Sequence, residues 1–152
     1  MFTGQACNWT RKRMLMAEPA RILLIDDHRT VHRLLEAILR IKGYELLYAE
    51  NGAQGIAMAR AERPDLIVLD VMMPDMDGFK VCQFLKEQAE TCTIPVLFLT
   101  ARGAEDDLES GRRAGGDGFM TKPFQSVEVL NAIERMLKTR AVAGEPPVSE
   151  QS

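Results

Sequence analysis

Short, uninterrupted apolar runs, each closed by a polar residue, set the tightest limit on what this chain can fold into. Ile22 to Ile25 ends at Asp26-Asp27, Leu66 to Leu69 at Asp70, and Val96 to Leu99 at Thr100. Such runs are too short for buried helices, and they lack the alternation of a strand with one wet face. They predict strands covered on both sides, as in a parallel sheet between two helix layers. Two weaker strands fit the same series: Tyr44 to Ala49, and Gly118 to Thr121 ending at Lys122-Pro123. Helical periodicity fills the intervals. Val31, Leu34, Leu35, Ile38 and Leu39 make one face of a helix stopped by Gly43, and Ala53 to Ala61 is an Ala-rich helix stopped by Arg63-Pro64. A third helix carries Phe79, Cys82, Phe84 and Leu85, and a polar one with a thin apolar face covers residues 104–114. The last helix aligns Val129, Ala132, Ile133, Met136 and Leu137. Strand and helix alternate five times without internal repeat. The expected fold is a doubly wound, three-layer α/β sandwich around a five-stranded parallel sheet.

The pattern begins at Arg21 and fades after Leu137, so a body over residues 20–140 is expected between a flexible extension (1–19) and a disordered tail (141–152). The extension carries the basic triplet Arg11, Lys12 and Arg13, expected to be simply solvated, and Met14 and Met16 as alternative starts. A chain of 152 residues with net charge −3 and no long basic run argues against nucleic acid as a direct ligand. No apolar stretch approaches the ~18 residues that a membrane span requires, and no secretory leader is visible. Three cysteines, Cys7, Cys82 and Cys92, cannot all pair within one chain and form no C-x-x-C. They read as reduced thiols of a cytoplasmic protein, Cys82 as a small buried hydrophobe and Cys92 as a loop thiol.

The chemistry lies where the strands end. Asp26, Asp27, Asp70, Thr100 and Lys122 all fall at predicted carboxyl ends, the edge where open parallel sheets bind ligands. Any one of them alone is adequately explained as a helix cap or a solvated charge. Capping does not explain four strand ends at once. Carboxylates about 5 Å apart repel by roughly 3 kcal/mol per pair at an effective dielectric of 20, so this group needs a cation or must protonate. Its oxygen donors suit Mg²⁺ or Mn²⁺ rather than zinc, with His28 the one nitrogen donor nearby. A divalent ion beside a carboxylate, an ammonium and a hydroxyl suits phosphoryl transfer, with one Asp as nucleophile. His28 and His32 also have the i, i+4 spacing of a two-histidine metal pair, but no third ligand accompanies them; ordinary residues on a helix flank are the preferred reading.

These motifs, LLIDDH, IVLDVMMPDMDG, LFLTAR and GFMTKPF, resemble those of the receiver domain of response regulators in two-component signalling. The resemblance covers residues 21–139, and intervals of 43, 30 and 22 residues separate Asp27, Asp70, Thr100 and Lys122. It implies a flavodoxin-like (βα)5 fold and Asp70 as the phosphoacceptor. It also implies Mg²⁺ held by Asp27 and Asp70, with Asp26 helping through water and the Met72 backbone carbonyl completing the set. Lys122 would pair with phosphoryl oxygens, Thr100 would hydrogen-bond one of them, and Thr100 with Phe119 would form the switch. A cis bond before Pro123 is common in that family. Ala101 is small and leaves the site accessible, while Met72 and Arg102 flank it and should affect phosphoaspartate lifetime. The implied partner is a sensor histidine kinase or phosphotransfer protein, with signalling by conformational change or onward relay and no enzyme activity beyond self-phosphorylation and dephosphorylation. Since the body fills the chain, no output domain is expected.

Two departures from that family stand out. Phe119 occupies a position where Tyr is frequent, and Gly118 and Ala132 replace the charged residues that join dimers in the winged-helix subfamily. Two other classes fit the residues less well. A phosphatase resembling haloacid dehalogenases needs D-x-D, and Asp70-Val71-Met72 lacks the second acid; an FMN carrier needs a Ser/Thr/Gly-rich loop that does not follow the first strand.

Overall fold

A computed structural model describes residues 19–101, 103 and 105–143. Five strands, β1 (Arg21–Ile25), β2 (Glu45–Ala49), β3 (Leu66–Leu69), β4 (Val96–Thr100) and β5 (Gly118–Thr121), alternate with five helices. These are α1 (Arg29–Ile41), α2 (Gly52–Glu62), α3 (Gly78–Lys86), α4 (Glu105–Arg113) and α5 (Ser126–Ala143). All neighbouring strands are parallel, in the order β2-β1-β3-β4-β5. The chain starts at β1, steps outward to β2, then crosses back to β3 and proceeds the other way. That reversal puts a crevice beyond the carboxyl ends of β1 and β3.

The unbroken apolar runs are explained by two separate cores. Leu23, Ile25, Ile67, Leu69 and Phe98 pack against Ala59 of α2 and Val81, Cys82 and Leu85 of α3. Their sequence neighbours Ile22, Leu24, Leu66, Val68, Leu97 and Leu99 pack against Leu35, Ile38 and Leu39 of α1 and Val129 and Ile133 of α5. Successive strand residues point to opposite faces, so every position from Ile22 to Ile25, in β3 and in β4 is buried, whereas the edge strands β2 and β5 are only partly so. The weaker face of α4 is also as expected: Gly111 is its buried residue, and Leu108 is exposed.

Local detail departs from the periodicity at two places. Leu34 belongs to the apolar stripe of α1 but sits at its edge, 45% exposed. The last helix continues through Ala143, into the segment expected to be tail, with the Thr139 hydroxyl donating to the Arg135 carbonyl at 2.9 Å. Cys7, the basic triplet, Met14, Met16, Arg102 and residues 144–152 lie outside the described residues. Among the described helices, none is long and apolar enough to cross a membrane.

Cys82 is fully buried, donates to the Ala114 carbonyl at 3.4 Å, and has its thiol pushed up to about 12 by desolvation. Only the thiolate alkylates at a useful rate. Iodoacetamide at pH 8 should therefore modify half-buried Cys92 while leaving Cys82 unmodified until urea unfolds the chain, as peptide mass mapping would read.

Candidate functional site

Backbone hydrogen bonds that extend the sheet past its strand ends fix the polar residues in place. The Asp26 N–H donates to the Ala49 carbonyl (3.1 Å), Asp70 to Ile25 (3.0 Å) and Lys122 to Thr100 (2.8 Å). Asp26, Asp70 and Thr100 are thus presented at one edge while remaining buried, with Asp27 one residue further out and exposed. The bond between Lys122 and Pro123 is cis. Beyond the strand ends lies a cleft of about 710 Å³, lined by Asp27, His28, Asp70, Met72, Ala101 and Lys122 among others.

Among the described residues, the site's one ammonium is shared unequally. Lys122 Nζ lies 2.9 Å from Asp26 Oδ2 and 3.6 Å from Asp70 Oδ2. Asp70 also accepts from the Thr100 hydroxyl and, at 3.3 Å, from the Met72 N–H. Despite these partners its carboxyl is raised above the usual range, first by burial and next by the charge of Asp26. A buried carboxylate beside another is under-neutralised, so a further cation is favoured at this place.

Periodicity gave no role in the site to His28. It is the N-cap of α1, yet its side chain makes no capping bond. Its N–H donates to Asp26 Oδ1 at 2.7 Å, and its ring turns into the acidic group. Nδ1 lies 2.9 Å from Asp26 Oδ1, 3.3 Å from Asp27 Oδ1 and 3.8 Å from Asp70 Oδ2. His32, one turn on, stacks on Tyr48 with ring centroids 4.0 Å apart, so the two histidines do not converge on a common ion. The signal available in sequence was adjacency: His28 directly follows the paired aspartates.

Asp75 has no counterpart among the residues singled out from sequence. Its carboxylate accepts from the N–H groups of Gly52 (2.9 Å) and Ala53 (3.0 Å), tying the loop after β3 to the first turn of α2. Those bonds hold its carboxyl below the usual range. Asp77 caps α3 by accepting from the Phe79 N–H at 2.7 Å, so both ends of this loop are anchored.

Phe119 pairs with Phe98 across β4 and β5, their ring centroids 5.8 Å apart. Thr100 is two residues past Phe98 and so shares its face of the sheet. Gly111 of α4 lies against both rings. The two residues expected to form a switch therefore lie on the same side as α4.

Donor atoms of Asp26, Asp27, His28 and Asp70 all fall within 4.8 Å of one another, a set that fits a divalent cation. With a nucleophilic carboxylate, an ammonium and a hydroxyl around an open cleft, the arrangement suits acceptance of a phosphoryl group.

The family model for the response regulator receiver domain matches residues 22–134. PilH of Pseudomonas aeruginosa is 40% identical over 118 residues, covering 78% of this chain and 98% of that protein. The DNA-binding dual master transcriptional regulator RpaA of Synechocystis is 42% identical over 118 residues, but these make up only 49% of its length. Among solved structures, the receiver domain of the sensor histidine kinase PA1611 from Pseudomonas aeruginosa superposes with a TM-score of 0.74 at 28% identity, over 79% of this chain and 98% of that one. That structure has a magnesium ion coordinated in its active-site cleft.

Proposed function

Because this chain belongs to the response regulator receiver family, a family of signalling modules, we propose that Asp70 accepts a phosphoryl group from the phosphohistidine of a sensor histidine kinase or phosphotransfer protein. The observation that carries this is the placement of Asp70: buried, raised in pKa, and in contact with both Lys122 and Thr100 at the floor of an open cleft. An Asp70 carboxylate oxygen attacks phosphorus, the phosphorus–nitrogen bond breaks, and the imidazole leaves with a proton from water. Asp26, Asp27 and Asp70, with the Met72 carbonyl, would hold Mg²⁺ or Mn²⁺. When bound, that cation neutralises charge on the phosphoryl oxygens. Lys122, 3.6 Å from Asp70 Oδ2, would supply a second positive charge, and Ala101 leaves the approach open.

Two alternatives have less support. The loop after β1 is occupied by Asp26, Asp27 and His28, and its carboxylates would repel the phosphate of FMN. Asp70-Val71-Met72 lacks the second acid that a haloacid dehalogenase-like phosphatase uses. The domain is read as acting in the cytoplasm over residues 20–140, on protein partners rather than nucleic acid, with no catalysis beyond its own phosphorylation and dephosphorylation.

With acetyl phosphate as donor, the intact protein should gain one phosphoryl mass only when a divalent cation is present, and Asp27→Ala should slow the gain at least tenfold. No gain in the wild-type protein would overturn the proposal.

The proposed output begins at Thr100. Its hydroxyl, now donating to Asp70, would turn to the incoming dianion, and Phe119 would repack beside α4. Moving an equilibrium from 1:99 to 99:1 takes about 5.5 kcal/mol. One charge-assisted hydrogen bond supplies about 1.5–3 kcal/mol, leaving the rest to Lys122 and the Phe119 packing. Thr100→Ala should still bind beryllofluoride, a phosphoryl mimic, but show smaller amide shifts in α4, β5 and α5 than wild type. Identical shifts would remove Thr100 from the switch.

A further inference from the structure

From the position of its ring we infer that His28 is itself a ligand to the divalent cation, through Nδ1, making a mixed nitrogen–oxygen site that favours Co²⁺ and Zn²⁺ relative to Mg²⁺ more than oxygen donors alone would. The inference deepens the proposed function and rests on its metal site. Three observations support it. An N-cap residue ordinarily spends its side chain on the helix, and His28 does not. The His28 N–H bond to Asp26 Oδ1 pins the backbone at 2.7 Å, so the ring is delivered over the carboxylates by a short, fixed turn.

The third observation is metric. Ligands about 2.0–2.1 Å from one ion lie about 2.9 Å apart at right angles and about 3.4 Å apart in a tetrahedron. Nδ1 is 3.3 Å from Asp27 Oδ1 and 3.8 Å from Asp70 Oδ2, within the span of ligands to one ion, and its 2.9 Å hydrogen bond to Asp26 Oδ1 is the contact that the ion would replace. Imidazole nitrogen suits Zn²⁺ and its neighbours, whereas Mg²⁺ prefers oxygen. The oxygen donors read from sequence, with His28 the one nitrogen donor nearby, are thereby joined by His28 itself. His32 does not take part, since its ring is stacked on Tyr48.

The test compares wild type, His28→Ala and His32→Ala, each titrated calorimetrically with MgCl₂ and with CoCl₂. Proton NMR of the Co²⁺-loaded proteins provides a readout independent of phosphorylation. In His28→Ala, Co²⁺ affinity should fall at least tenfold more than Mg²⁺ affinity, and a hyperfine-shifted, exchangeable imidazole proton should disappear. His32→Ala should keep both the preference and the resonance. An unchanged Co²⁺-to-Mg²⁺ preference in His28→Ala, or a shifted imidazole proton that persists there, would overturn the inference and reduce His28 to a counter-charge for Asp26. If wild type binds Mg²⁺ but shows no such dependence on His28, this inference alone falls; if wild type binds neither ion, the proposed function falls with it.

Discussion

Asp70→Asn should abolish phosphoryl acceptance and, in the absence of metal, raise the urea midpoint of the protein at pH 7. The first effect is chemical, because an amide cannot form the acyl phosphate. The second follows from burial. Asp70 is 2% exposed, and its carboxyl is raised by desolvation and by the Asp26 charge. As pH rises, the unfolded chain therefore releases this proton first. The stability it contributes is complete below the ordinary carboxylate value of 3.8 and declines as pH climbs through the folded value. At pH 7 the ionised group burdens the fold, and a neutral amide of similar shape removes that burden. Asparagine keeps an oxygen to accept from Thr100 and from the Met72 N–H, while Lys122 keeps Asp26 at 2.9 Å. Urea titrations at pH 7 and pH 4 check the account: the advantage of Asp70→Asn should shrink at the lower pH. A midpoint below wild type at pH 7 would contradict it.

Gly78→Ala should cost about 3 kcal/mol, the upper end of the range for overpacking. Gly78 opens α3 directly after the capping Asp77, and its N–H donates to the Val71 carbonyl at 2.8 Å. A Cβ there would overlap the Asp70 carbonyl oxygen and lie 2.7 Å from Val71 Cα. Both obstacles are backbone, so no side chain can rotate away to relieve them. The chain would have to shift at Asp70 and Val71, where the phosphoryl group is proposed to arrive. Since a misplacement of 1 Å can cost about a hundredfold in rate, phosphorylation by acetyl phosphate should slow roughly tenfold or more. Chemical denaturation and a phosphorylation time course measure the two effects. A variant with wild-type stability would show that this loop yields more easily than its contacts indicate.

The fold was legible because burial on both faces leaves a plain trace. Ile22 to Ile25 and Leu66 to Leu69 have no polar side to show, and each breaks off at an aspartate where the sheet ends. The same breaks marked Asp26, Asp70, Thr100 and Lys122, since residue type and strand position sufficed to bring them to one edge. Side-chain direction left less trace. His28 was visible in sequence as the one nitrogen donor near the carboxylates, but the turn of its ring onto them rests on its backbone and Nδ1 contacts with Asp26, which spacing does not encode. Asp75 was hidden for a related reason: its partners, Gly52 and Ala53, lie on a helix more than twenty residues earlier, and only loop closure joins them. Sequence placed Lys122 at this edge, while its closer approach to Asp26 than to Asp70 is set by distances that spacing does not encode. Leu34 and the end of α5 follow the same pattern. Periodicity identifies a stripe or a helix, while its edges depend on what packs alongside.

The most direct test of the central claim is to locate the phosphoryl group. The protein is incubated with acetyl phosphate and Mg²⁺, reduced with borohydride, which converts an aspartyl phosphate to homoserine, and mapped by peptide mass spectrometry. The account predicts homoserine at position 70 and at no other aspartate, and none when the divalent cation is withheld. Homoserine at position 26 or 27, or its absence from position 70 in a protein that has gained phosphoryl mass, would contradict it.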